Sequence, residues 1–160
     1  MSNRLKLAFF CHLLFSIEPA AFGVTYLVRS EFMSYHAVAV GMPWSQLPPA
    51  QQALILALMR LSGGAYVALA LAIVVLLLIP FRRGEVWARW TIGVIGSLGS
   101  AGALFGTLYV RAHTPSEPPW LVVAGFALLN LIGLALSLER KNAAFAPSSV
   151  APPLHTEGRC

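Results

Sequence analysis

Charged residues are scarce in this sequence. Of its 160 residues only 11% are Asp, Glu, Lys or Arg, whereas 58% are hydrophobic and the mean hydropathy is +0.73. A soluble domain carries about 25% charged residues, and a chain of this length could not bury so much apolar surface in one core. The composition therefore excludes an ordinary soluble domain and predicts an all-α integral membrane protein.

Cysteines are also few, and the common catalytic motifs are missing. Cys11 falls in a predicted helix and Cys160 is the last residue, so no disulfide framework, CxxC pair or Cys/His metal cluster is present. The sequence contains no HExxH, GxSxG, P-loop or dinucleotide-binding glycine motif. We therefore expect no metal, no cofactor and no strong catalytic signature, which favours a non-enzymatic protein and leaves an enzyme open.

The net charge of +5 and the pI near 9.8 raise the question of nucleic acid. The basic residues flank apolar runs and form no separate basic stripe, which argues against a nucleic-acid partner. Flanking positive charge is instead typical of membrane topology, so the expected partner is the lipid bilayer.

Four apolar runs are long enough to cross a bilayer, which takes about 20 residues of helix. The predicted spans are residues 5–28, 52–80, 88–110 and 119–138, and together they predict a four-helix bundle as one transmembrane domain over residues 1–141. The remaining residues, 142–160, are rich in Pro, Ser and Ala, which predicts a disordered cytoplasmic tail.

The distribution of basic residues predicts the orientation in the membrane. Arg29 and Arg111 lie on one side of the predicted spans. Eight basic residues lie on the other side, namely Arg4, Lys6, Arg82, Arg83, Arg89, Arg140, Lys141 and Arg159. The positive-inside rule then places both termini in the cytoplasm of an inner (plasma) membrane. The first span could also be a cleaved signal peptide, but apolar character resumes over residues 20–28 and favours a full crossing.

The connection between the first two spans is the longest one, and it carries aromatic residues. Phe32, Met33, Tyr35 and Val38 have the spacing of a short amphipathic helix lying in the membrane interface. We consider three residues of this loop as site candidates: Tyr35, His36 and Trp44. His36 could act as a base or contact a lipid headgroup, although an exposed loop histidine is the simpler interpretation.

Small residues recur along the third span. Gly93, Ser97 and Ala101 are spaced by four residues, and Gly102 and Gly106 form a GxxxG pair. Helices in lipid associate through close packing of small residues, so this pattern predicts that the third span is the central helix. The alternative is that it reflects only the general abundance of glycine in transmembrane helices.

Polar residues inside the spans fall at similar depths. Glu18 is ten residues from Val28 and Ser100 is ten residues from Val110, which is about 15 Å in each case. Arg60 is eight residues beyond the start of the second span, or about 12 Å, and Asn130 is eleven residues into the fourth, or about 16 Å. The counts predict a polar layer of Glu18, Arg60, Ser100 and Asn130 in the outer half of the bundle.

This layer has three interpretations. Glu18 and Arg60 could form a structural ion pair that fixes helix register, or the layer could line a ligand or proton site with Glu18 as its candidate acid/base. Arg60 could instead extend outward to the headgroups. His12 lies six residues before Glu18 and projects to a different face, where we expect a hydrogen bond to a neighbouring helix.

Parts of the chain resemble a known kind of membrane protein. The similarity lies in residues 58–64 (LMRLSGG), 80–85 (PFRRGE) and 87–90 (WARW), and in the block 32–36 (FMSYH) with Trp44. These segments resemble small bacterial four-helix integral membrane proteins that are DoxX-like. The resemblance implies a compact four-helix bundle in the bacterial inner membrane, and it implies no activity or catalytic residue.

The function expected from these features is the binding of a lipid-like ligand or of a protein partner by a non-enzymatic bundle. One alternative is a small membrane enzyme for a hydrophobic substrate such as a quinone or sterol-like lipid, with Glu18 as acid/base and Arg60 as its charge partner. Another is a transporter subunit, which would have to associate with a second copy or another membrane protein, because four spans show no inverted repeat.

Overall fold

The computed structural model describes residues 2–138, and regular structure in this range is entirely helical. The predicted tail, 142–160, lies outside the described residues. The helices are α1 (Asn3–Val28), α2 (Ser34–Val40), α3 (Pro49–Leu76), a π-helical turn (Leu77–Phe81), α4 (Val86–His113) and α5 (Trp120–Ser137), with a 3-10 turn at Trp44–Gln46.

Four of these helices are long and apolar enough to cross a membrane, with α3 and the π-helical turn counted as one span. This confirms the predicted four-helix architecture of a multi-pass membrane protein. The first three predicted spans lie inside these helices, and the fourth exceeds α5 by one residue at each end. The short helix predicted between the first two spans is also present, as α2.

Local sequence explains where the helices begin and end. The Ser2 hydroxyl accepts a hydrogen bond from the Leu5 backbone N–H at 3.3 Å and caps α1. Pro49 occupies the first turn of α3, where a missing N–H costs nothing. Pro80 lies in the π-helical turn, and Gly84 then adopts a positive φ of 85°, which a side chain would disfavour.

The prediction that the third span is central is wrong. In the structure α1 is the central helix: it packs along α3 on one side and along α5 on the other, while α4 packs mainly on α5. In the most apolar 18-residue stretch of each helix, 44% of the residues are buried in α1, against 22% in α4. The contact between α3 and α4 is slight, and it leaves a groove between these two helices.

The closest helix contact is the crossing of α1 and α3 at Gly23 and Gly63. A Cβ added at Gly23 would lie 2.8 Å from the Val67 backbone nitrogen and 2.9 Å from the Gly63 carbonyl oxygen. A Cβ added at Gly63 would lie 2.8 Å from the Gly23 carbonyl oxygen. The two backbones are therefore in direct contact, as close packing through small residues predicts.

The buried core is concentrated at the end of the bundle that holds Leu5 and Phe81. Its fully or nearly fully buried members are Leu5, Ala8, Phe15, Ile73, Leu77, Phe81 and Ile92. The other end, called the loop end below, carries α2 and the α4–α5 connection. These two segments touch there, because the Ser116 hydroxyl donates to the Tyr35 carbonyl oxygen at 2.5 Å. The loop end has a smaller core around Phe32, Leu47 and Met59, and two cavities lie next to it, beside Glu18 and beneath α2.

Candidate cavity at the loop end

Glu18 is buried in the middle of the bundle without a partner. Only 8% of its surface is exposed, and it precedes Pro19, which is also buried in α1. Within residues 2–138 its carboxyl group makes no hydrogen bond and no ion pair. A buried carboxyl group is normally compensated by a donor or a cation, and among residues 2–138 Glu18 has neither.

The ion pair considered for Glu18 and Arg60 does not form. Met59 is buried and faces α1, and so does Gly63 one turn later. Arg60 follows Met59 by one residue, which on a helix is a rotation of about 100°, and its side chain is exposed. Counting residues along the helices makes the pair plausible, but the rotation about the α3 axis places Arg60 outside the interface.

Asn130 belongs to a separate polar cluster. It is fully buried, its side-chain oxygen lies 3.1 Å from His12 Nδ1, and its amide nitrogen donates to the Gly93 carbonyl oxygen and the Ser97 hydroxyl, each at 3.2 Å. This confirms that His12 bonds to a neighbouring helix. Ser100 is also buried, but neither it nor Asn130 lines the cavity beside Glu18. The four residues predicted as one layer therefore do not form one site.

We expect the contact between His12 and Asn130 to stabilise the bundle measurably. A double-mutant cycle with His12→Ala and Asn130→Ala should give a coupling free energy of about 0.5–1.5 kcal/mol, which is the usual range for hydrogen bonds between transmembrane helices. The measurement is reversible unfolding by dodecyl sulfate in mixed micelles. Ser137→Ala is a suitable control, since Ser137 is equally buried but its hydroxyl bonds only within its own helix. Additive losses would show that the contact contributes nothing.

A cavity of about 260 Å³ lies beside Glu18 and is named here the Glu18 cavity. Its walls come from α1, α2, α3, α4 and the start of α5. The lining residues are Glu18, Phe22, Tyr26, Tyr35, His36, Ser62, Tyr66, Gly102, Ala103, Gly106, Thr107, Val110, Pro118 and Val123. They include a carboxyl group, three phenols, an imidazole and two aliphatic hydroxyls, but no lysine or arginine.

Helical spacing explains how three helices line this cavity. Glu18, Phe22 and Tyr26 are four residues apart and lie on one face of α1, and Ser62 and Tyr66 share a face of α3 in the same way. Sequence reasoning did not single out Tyr26 or Tyr66 as site residues, although Tyr66 interrupts the apolar run of the second span. The four-residue spacing from Glu18 to Tyr26 was the available signal.

The GxxxG pair of α4, Gly102 and Gly106, lines the Glu18 cavity and does not lie at a contact between helices. A Cβ added at Gly102 or at Gly106 would have no atom within 4 Å, so neither glycine permits a close helix approach. The missing side chains instead keep the cavity open opposite Glu18. This is the physical reason why the small-residue pattern gave the wrong central helix.

Aromatic groups close the cavity at the loop end. The Tyr26 and Tyr35 hydroxyls are hydrogen-bonded at 3.3 Å, and the Tyr35 and His36 rings lie 4.2 Å apart between centroids. Burial raises the pKa of the Tyr35 phenol and lowers the pKa of the His36 imidazole, so both are neutral near pH 7. The Met33 backbone N–H donates to His36 Nδ1 at 3.4 Å, which leaves Nε2 as the protonated nitrogen. Of the three loop candidates Trp44 lies elsewhere, packed on Phe32 at 5.0 Å between ring centroids.

Two further cavities share walls with the Glu18 cavity. One, of about 300 Å³, lies beneath α2 and has Tyr26, His36, Ser62 and Val110 in common with it. The other, of about 310 Å³, follows the groove between α3 and α4 and shares four lining residues: Ser62, Tyr66, Gly102 and Ala103. Apolar residues dominate both extensions. Together the three form a continuous groove with one polar section, next to Glu18.

No protein-family model, curated protein or solved structure matches the chain. The functional argument therefore rests on the geometry of this groove. Within residues 2–138 no three His, Cys, Asp or Glu side chains approach one another as metal ligands would. The groove combines a polar section beside Glu18 with apolar walls along α3 and α4.

Proposed function

We propose that this protein is a non-enzymatic membrane protein that binds a lipid-like amphiphile in the groove between α3 and α4. The observation that carries the proposal is the Glu18 carboxyl group, 8% exposed and without a partner among residues 2–138, in the wall of a 260 Å³ cavity. A polar ligand head would supply the hydrogen bonds that Glu18 lacks. The apolar extensions would accept a hydrocarbon body, as ligand sites in proteins usually do.

The proposed location is the bacterial inner membrane, with both termini in the cytoplasm. The distribution of basic residues supports the orientation. The resemblance of residues 58–64 to bacterial four-helix membrane proteins supports the bacterial inner membrane as the location. The loop end would then face the periplasm. A ligand would enter from the outer leaflet, through the gap that the slight contact between α3 and α4 leaves.

A membrane enzyme is the second candidate, because the cavity places Glu18, His36 and Tyr66 around one space. Three observations favour binding over catalysis. His36 Nδ1 is engaged with the Met33 backbone, and Glu18 has no hydrogen bond to any residue within 2–138 that could relay a proton. Arg60, the charge partner that an acid/base role was expected to use, is exposed outside the cavity.

Native mass spectrometry of the gently extracted protein tests the proposal. We expect a reproducible added mass on the wild-type chain and its loss in Gly106→Leu, because the leucine side chain would fill the cavity opposite Glu18. Gly125→Leu is the matched control: Gly125 is also an exposed glycine within a helix and has no atom within 4 Å of an added Cβ, but it does not line the groove.

Three outcomes are distinguishable in that experiment. Loss of the added mass in Gly106→Leu but not in Gly125→Leu supports a ligand in the groove. An added mass that both variants retain, or a wild-type chain without any added mass, contradicts the proposal. A recovered molecule that the protein converts to a different mass on incubation would support the enzyme instead.

A further inference from the structure

The Glu18 cavity is unbalanced in charge. Its only carboxyl group is that of Glu18, and no lysine or arginine lines it. The two arginines at the loop end are engaged elsewhere: Arg29 Nε donates to the Glu31 carbonyl oxygen at 3.4 Å, and the Arg111 guanidinium stacks 4.9 Å above the Trp120 ring. No side chain of the described chain is therefore in place to neutralise a carboxylate at this site.

The walls of the cavity are suited to a cation. Phe22 and Tyr66 line the cavity together with Glu18, and Tyr26 and Tyr35 contribute rings at the loop end. The faces of aromatic rings attract ammonium groups, and this attraction grows when the cation is desolvated. A carboxylate together with several rings is a recognition pattern for an amine, whereas an anionic head would meet repulsion from Glu18.

We infer that the groove binds an amphiphile whose head is an ammonium group, with the nitrogen beside the Glu18 carboxylate and the hydrocarbon chain along the α3–α4 groove. This inference rests on the proposed function and names its ligand class. The charge of the ligand compensates the buried carboxylate, and the rings of Tyr26 and Tyr66 replace water around the nitrogen. Because Gly102 and Gly106 leave the wall opposite Glu18 open, a head larger than a primary ammonium also fits.

The bilayer and the free pool of amphiphiles could both supply such a head. A phospholipid with an amine headgroup presents it at the membrane surface, and a free long-chain amine carries it at the end of one hydrocarbon chain. Both share the chemistry that the cavity recognises. They differ in that a phospholipid also carries a phosphate, which an acidic cavity without lysine or arginine does not favour, so a free amine is the better fit.

Photoaffinity labelling with four matched probes tests the inference. All four carry the same alkyl diazirine chain and differ only in the head, which is a primary ammonium, a trimethylammonium, a hydroxyl or a carboxylate. The protein is held in an uncharged maltoside detergent, and labelled peptides of α3 and α4 are quantified by mass spectrometry. We expect the ammonium probes to label the groove about ten-fold more than the hydroxyl probe, as a desolvated cation–π and ion-pair contact implies.

Variants separate this inference from the proposed function. In Glu18→Gln the advantage of the ammonium probes should fall below about two-fold, because the amide keeps the shape of the side chain and loses its charge. In Gly106→Leu labelling by every probe should fall, and in Gly125→Leu it should remain. A phosphatidylethanolamine competitor that removes the labelling would identify the bilayer as the source, and labelling that resists it would identify a free amine.

Equal labelling by the hydroxyl and ammonium probes, lost in Gly106→Leu, would overturn the ammonium preference and leave the proposed function intact. An ammonium advantage that persists in Glu18→Gln would also overturn it. If every probe still labels the groove in Gly106→Leu, both the ammonium preference and the proposed function are overturned.

Discussion

Gly63→Ala is expected to lower the free energy of unfolding by about 1–3 kcal/mol, the usual cost of overpacking a tight contact. The added methyl group would meet the Gly23 carbonyl oxygen at 2.8 Å, and this oxygen belongs to the backbone of the central helix. A backbone atom cannot move aside as the end of a flexible side chain does. The α1–α3 contact would therefore have to open, and the bundle would lose its closest packing.

Gly64→Ala provides the matched control, since it changes the adjacent residue of the same helix. An added Cβ at Gly64 has no atom within 4 Å, so only the helix propensity changes. Alanine is favoured over glycine in a helix by about 1 kcal/mol, and we expect unchanged or slightly higher stability. Dodecyl sulfate unfolding of both variants measures the difference. Equal effects of the two substitutions would contradict the close contact between Gly23 and Gly63.

Sequence reasoning identified the helices because hydropathy directly reports which segments enter lipid. It was wrong to place Glu18 and Asn130 in one layer by residue count, because Asn130 contacts His12, which lies six residues before Glu18 on α1. It failed for Arg60 because depth carries no information on rotation about the axis. Met59 is buried and Arg60, one residue later, is exposed, and only the packing of α3 on α1 decides which of the two faces inward.

Glycine positions in the sequence also do not specify which helices are in close contact. The pair at Gly23 and Gly63 marks a close helix contact, and the pair at Gly102 and Gly106 marks an open wall. The sequence alone does not tell the two situations apart, because the absence of a side chain permits either a neighbouring backbone or an empty space. What distinguishes them is the partner helix, and the sequence does not specify which helices are neighbours.

Replacing Glu18 with leucine is expected to stabilise the bundle and to abolish ligand binding. A carboxyl group near the bilayer centre costs about 2.5–3.5 kcal/mol on insertion scales, and Glu18 has no partner among residues 2–138 that would offset this cost. Leucine has a similar volume and no polar atom, so we expect the free energy of unfolding to rise by about 1–3 kcal/mol. Stability is measured by dodecyl sulfate unfolding of ligand-free protein, and binding by the added mass in native mass spectrometry.

Asn130→Leu is the appropriate comparison, because Asn130 is as deeply buried as Glu18 but is bonded to three groups. Its loss removes the hydrogen bonds to His12 and to the Gly93 carbonyl oxygen, so the same type of substitution should destabilise the protein. If the free energy of unfolding rises in Glu18→Leu and falls in Asn130→Leu, then Asn130 holds the helices together and Glu18 is maintained at a cost to stability. A group kept at such a cost is one that a ligand uses. If Glu18→Leu instead destabilises the bundle as Asn130→Leu does, Glu18 is a structural residue and the cavity beside it is not a binding site.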